Sequence, residues 1–137
     1  MDRSEQIDTF NRITQVSRET IISLNKYEKD LIEANKTTNL VGKSTIGEIW
    51  SRHFLDSAQV IDFIDKNDKT LIDIGSGAGF PGLVLAIIFK DRRIPIKVKL
   101  IRPKTMGQAL RIDGITPAAA YILLSYVKKG EKKLKRA

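Results

Sequence analysis

The sequence has no cysteine, one histidine and one tryptophan in 137 residues. Without cysteine there are no disulfides, thiolate metal sites or cysteine nucleophiles. A single histidine excludes a histidine-rich metal centre. No apolar run approaches the roughly 20 residues that a helical bilayer span needs. The first residues, Met1 to Glu5, are polar and mixed in charge, unlike a secretory signal. The expectation is a cytoplasmic chain with neither metal nor membrane partner. Acidic residues are scarce in one region only. Residues 97–137 carry 11 Lys/Arg against 2 Asp/Glu, a net of +9, whereas residues 1–96 carry 13 against 14, a net of −1. The overall charge of +8 therefore belongs to the last third. Such asymmetry points to an anionic partner such as RNA or, equally, to a solvated basic tail.

The remainder is globular in composition, with 42% apolar and 29% charged residues. Its length suits one domain, or a small domain with an appendage. Residues 17–34 carry Ile21, Leu24, Tyr27 or Glu28, and Leu31 at helical spacing, with charges between them. Residues 4–16 read as a shorter helix bearing Ile7, Phe10 and Ile13. After the polar break "ANKTTNLVGKS", Thr45 and Glu48 have the spacing of a capping box. A helix is expected from there through Trp50, His53 and Phe54, continuing or restarting over 57–64. "DKNDK" is a turn, residues 70–74 a buried strand, 82–89 a helix with Pro81 ahead of it, and 96–101 a second strand. Further on, two short helices are expected over 105–129. Thr105 caps the first and Gly114 ends it. Thr116 and Pro117 open the second, whose stripe is Ala119, Ile122, Leu123 and Tyr126.

Between the first strand and its helix lies "LIDIGSGAGFPG", residues 71–82. Glycines let the chain turn tightly and expose backbone N–H groups, and the following helix aims its positive end at the same place. Asp73, at the strand's end, is a candidate partner for an ammonium or hydroxyl. A dinucleotide fingerprint needs a glycine at the sixth position from Gly75, which is Phe80. The alternative without a ligand is a tight strand-to-helix turn. "VGKST" at 41–45 imitates the end of a P-loop, but the earlier glycine that motif needs is replaced by Thr37.

The triplet Gly75-x-Gly77-x-Gly79 after an acidic strand end resembles the first motif of class I S-adenosylmethionine methyltransferases. Together with "TNLVG" at 38–42 and "EIWSRHFLDSAQV" at 48–60, it resembles the ribosomal RNA small-subunit methyltransferase G family, also called glucose-inhibited division protein B, over about 17–101. That resemblance implies methylation of N7 of a guanine in 16S ribosomal RNA. The implied cofactor is S-adenosyl-L-methionine, held by Asp73, Gly75, Ser76, Gly77, Gly79 and Phe80. Arg52 and His53 match the family's "RH" pair, with RNA or cofactor-side contact as one reading and helix packing as the other. No catalytic residue is assigned.

Residues 102–129, "RPKTMGQALRIDGITPAAAYILLSYVKK", resemble instead the C-terminus of glucose-inhibited division protein A, a tRNA uridine-modification enzyme. The resemblances imply an α/β fold: N-terminal helices plus the first half of a Rossmann-like class I methyltransferase sheet over 1–101, then a basic helical module over 102–137. The chain reads as a chimera joined near Ile101. Where open α/β sheets place an acid after the second strand for ribose hydroxyls, this chain has Arg102 and Pro103. The expectation is a truncated methyltransferase, weak or inactive alone. The alternatives are an RNA-binding or tRNA-modification-associated module, or a fusion product without function.

Overall fold

The computed structural model describes residues 1–75 and 77–101. Ser76, the helices expected over 105–129 and their caps Thr105, Gly114, Thr116 and Pro117 lie outside the described residues. Two N-terminal helices come first. Helix α1 (Arg3–Thr14) opens on a reciprocal capping box: the Asp2 carboxylate accepts from Glu5 N at 2.9 Å, and the Glu5 carboxylate from Asp2 N at 2.9 Å. It stops at Gln15, which is left-handed at φ 50°. Helix α2 (Arg18–Asn35) is capped by Ser17, which accepts from Thr20 N at 3.2 Å.

Asn35 organises the polar break after α2. Its Oδ1 accepts from Leu40 N at 2.8 Å and Val41 N at 2.9 Å. A 3₁₀ helix (Lys43–Glu48) and one wide π-type turn (Trp50–Phe54) then lead into α3 (Leu55–Gln59) and a short 3₁₀ turn (Val60–Phe63). The capping box expected from Thr45 and Glu48 does not form. The Thr45 hydroxyl donates back to Gly42 O at 2.9 Å, and the Glu48 carboxylate pairs with Arg52 at 3.1 Å. Both side chains are engaged elsewhere, and the segment starts at Gly42 without a side-chain cap.

Strand β1 (Thr70–Ile74), helix α4 (Gly82–Asp91) and strand β2 (Lys97–Ile101) form a parallel strand–helix–strand unit. Thr70 is opposite Lys97 and Ile74 opposite Ile101. Among the described residues the sheet has two strands, so each keeps one unpaired edge. The architecture is thus helices with a small parallel sheet, the opening of the expected α/β pattern.

The core lies where α1, α2, α4 and the 49–58 segment meet. Phe10 packs edge-on against Trp50 (5.3 Å), and Trp50 against Phe54 (5.0 Å). Leu24, Leu31, Ile49, Val84 and Ile88 are buried with them. Each such side chain contributes about 1.5–3 kcal/mol by leaving water. The apolar stripe of α2 divides as the sequence left open. Glu28 turns inward and pairs with Arg3 at 2.5 Å, while Tyr27 is partly buried against the core beside Phe54. Among the described residues no helix is long and apolar enough to cross a membrane.

Candidate functional site

β1 is short and apolar, and delivers Asp73 and Gly75 to the C-terminal edge of the sheet. Gly75 N donates to Ile101 O at 2.7 Å, so the ladder ends as the loop begins. Gly75, Gly77 and Gly79 have φ of 75°, 52° and 102°. An L-residue in left-handed backbone costs about 1–2 kcal/mol, which is the first reason for glycine here.

The glycines then divide by surroundings. A Cβ on Gly75 or Gly77 would meet no atom within 4 Å, and both residues are exposed. These two positions form an open cradle, with no atom where a side chain would stand. A Cβ on Gly79 would lie 2.6 Å from the Tyr27 hydroxyl and press on Leu83. One on Gly82 would lie 2.7 Å from Asp73 Oδ2 and press on Leu100. Gly79 and Gly82 therefore serve close packing beneath the cradle.

Asp73 is buried, and its Oδ2 accepts from Gly82 N at 2.9 Å. The carboxylate caps α4 from nine residues upstream, where Pro81 offers no side-chain cap. The helix end that sequence reasoning aims at a ligand is met first by the chain's own anion. Leu83 N and Leu85 N are taken by Gly79 O at 2.8 Å and Pro81 O at 3.1 Å.

Phe80 is clamped. The His53 imidazole stacks on its ring at 4.9 Å and 11°, with Tyr27 at 5.6 Å and Phe54 at 5.9 Å. His53 Nε2 is 3.0 Å from Thr45 Oγ1. Burial pushes the His53 pKa below its ordinary value; Asp56 opposes this and Arg52 reinforces it. The imidazole is therefore neutral at pH 7. Arg52 points to solvent and pairs with Glu48. The fold thus gathers Asp73, Gly75, Gly77, Gly79, Phe80 and His53, while Arg52 turns to Glu48 instead.

Sequence reasoning passed over Tyr27 as a site residue. Its hydroxyl crosses from α2 to donate to Ala78 O at 2.5 Å. Burial raises its pKa strongly, and the Asp73 carboxylate adds to the rise, so it remains an O–H donor. The available signal was an aromatic residue with a polar tip on the flank of a helical stripe.

The arrangement offers a packed floor of Phe80, Tyr27 and His53 beside two exposed glycines. It nominates no general base: Asp73 is committed to Gly82, and His53 to Thr45. Among the described residues no group of three or more His, Asp or Glu is placed to hold a metal ion.

Comparison with known proteins gives two family matches. The family described as rRNA small subunit methyltransferase G matches residues 20–106. The tRNA modifying enzyme MnmG/GidA C-terminal helical bundle matches residues 96–137. The ribosomal RNA small subunit methyltransferase G of Parvibaculum lavamentivorans is 45% identical over 85 residues, covering 62% of this chain and 38% of that one. The protein of the same name from Rhodospirillum centenum is 52% identical over 79 residues (58% and 37%), and that from Rickettsia akari 51% over 73 residues (53% and 38%). The chain spans about two-fifths of the length of these relatives. No solved structure matches. With the first family covering well over half of the residues, and its glycine loop folded as an open cradle, the chain belongs to the rRNA small subunit methyltransferase G family.

Proposed function

We propose that residues 1–101 are the cofactor-holding part of an S-adenosylmethionine-dependent methyltransferase acting on N7 of a guanine in 16S ribosomal RNA. One observation carries the reading. Gly75 and Gly77 are exposed, left-handed and uncrowded at the C-terminal end of a parallel strand, where open α/β sheets bind ligands. Asp73, Gly75, Gly77, Gly79 and Phe80, with Ser76 between them in sequence, hold the methionine end. When bound, the cofactor supplies an electrophilic methyl group on its sulfonium. The chain's own part is to bind and orient. Gly75 and Gly77 present backbone, Asp73 braces the loop through Gly82, and the neutral His53 keeps Phe80 in place. Arg52 supplies an exposed cation for the RNA side.

Residues 102–137 form a separate basic module in this proposal, and Arg102 replaces the ribose-binding acid, so methyl transfer by this chain alone is weak or absent. Isothermal titration with S-adenosylmethionine tests the reading. Measurable binding by the full chain that Gly75→Val abolishes supports a working half-site, because the side chain would occupy the open space over the cradle. Absence of binding by the unaltered chain rejects it.

The charge of residues 97–137 and the MnmG/GidA match favour a second reading, RNA binding without chemistry. Phosphate-driven binding weakens steeply with salt. An affinity for RNA that is unchanged between low and moderate salt sinks it.

A further inference from the structure

We propose that Tyr27 is a positioning residue for the cofactor's amino-acid end: its hydroxyl latches the Ala78 carbonyl and so presets the glycine cradle that the ligand meets. This rests on the reading of the loop as an S-adenosylmethionine site.

The latch joins elements far apart in sequence. Tyr27 stands on α2, and its O–H···O bond to Ala78 spans 51 positions. Ala78 lies between Gly77 and Gly79, both left-handed. Three glycines in five residues give the unliganded loop more backbone freedom than any other arrangement of side chains would. A ligand that had to order it would bind more weakly by that entropy. One hydrogen bond at the loop's midpoint removes much of the freedom beforehand. Peptide planarity also fixes the Gly79 N–H opposite to the Ala78 carbonyl, so the latch sets a whole peptide plane.

The hydroxyl is itself immobilised. The Tyr27 ring is stacked on Phe54 at 5.4 Å and tilted against Phe80 at 5.6 Å. Gly79 leaves room for it, since any side chain there would run into the hydroxyl oxygen. Burial and the nearby Asp73 carboxylate keep it protonated, so it donates at every working pH. Tyr27 acts through Ala78, the residue between Gly77 and Gly79.

Two ligands and one variant separate positioning from general stability. S-adenosylhomocysteine carries the amino-acid end, and 5′-methylthioadenosine lacks it. In the full chain, Tyr27→Phe keeps the ring and its stacking but removes the hydroxyl. The expected result is about tenfold weaker binding of S-adenosylhomocysteine, the worth of one buried hydrogen bond, with methylthioadenosine unchanged within twofold. Equal weakening of both ligands, or of neither, overturns the proposal. Amide hydrogen exchange without ligand gives an independent reading, should the chain bind neither compound. Tyr27→Phe is expected to speed exchange at residues 77–80 and leave the α1 and α2 core amides unchanged. Unchanged exchange at 77–80 overturns the latch whatever the ligand binding. Faster exchange in a chain that binds neither ligand upholds the latch and rejects the cofactor reading alone.

Discussion

Gly82→Ala is expected to destabilise the chain, although alanine is the better helix former. Gly82 opens α4 and is not in left-handed backbone, so the substitution carries no φ penalty. Helix propensity alone would favour alanine by up to about 1 kcal/mol. Against this, the new methyl would meet Asp73 Oδ2 at 2.7 Å and Asp73 Cβ at 3.0 Å, and overlap Leu100 more closely still. These neighbours stand on both strands beneath the helix, so relief requires α4 to lift or Leu100 and Asp73 to turn. Overpacking of this kind costs about 1–3 kcal/mol. Turning Asp73 also lengthens its bond to Gly82 N, a bond to a buried anion that is worth about 1.5–3 kcal/mol. The balance is a loss of about 2–4 kcal/mol. Urea unfolding of the full chain, followed by far-ultraviolet circular dichroism, measures it as a lower midpoint with unchanged slope. The control is Gly75→Ala, where only the left-handed backbone opposes the methyl, at about 1–2 kcal/mol. A Gly82→Ala chain as stable as the unaltered one, or less affected than Gly75→Ala, would refute the division of the glycines into cradle and packing.

Other expectations follow from the same contacts. Trp50 is 1% exposed, and its Nε1 is a buried donor with no hydrogen-bond partner among the described residues. Trp50→Phe therefore removes an unsatisfied group along with some area, and is expected to cost well under the roughly 3–5 kcal/mol of Trp50→Ala by thermal unfolding. His53 has a pKa below its ordinary 6.5 in the folded chain, so the unfolded chain takes up its proton first. Stability is expected to fall as pH drops through about 6.5, and melting temperatures at pH 8 and pH 5 should differ less in His53→Gln. Asp91 has the opposite origin. Hydrogen bonding from Ser17 holds its pKa below the ordinary 3.8 against a smaller opposing effect of burial, so its contribution is present above that pH and is lost as pH falls below it. Asp91→Asn is expected to flatten the acid limb of the stability profile below pH 4; an unchanged limb would show that the α2–α4 contact through Ser17 does not matter.

Features decided by residues close in sequence were legible without a structure. The periodicity of Leu24 and Leu31 marked α2, the apolar run before Gly75 marked β1, and Pro81 marked the start of α4. The alternating glycines marked the loop and, with "RHFLDS", the family. Each rests on backbone preferences or side-chain spacing over a turn or two, which neighbours alone set. Local signals were also misjudged where several partners competed for one side chain. Thr45 and Glu48 had the right spacing for a cap, yet Thr45 serves Gly42 and His53, and Glu48 serves Arg52.

Tertiary packing alone decided which glycine does what. All three in the loop are left-handed, but the approach of Tyr27, 51 positions from Ala78, together with Leu83 of α4, distinguishes the crowded Gly79 from the open Gly75 and Gly77. The same holds for Asp73, whose charge alone suggested a ligand contact and which the fold also sets 2.9 Å from the first N–H of α4. A carboxylate or hydroxyl takes whichever donor or acceptor the fold places nearest, and that choice is written in the packing of distant helices against the strand rather than in the residues beside it.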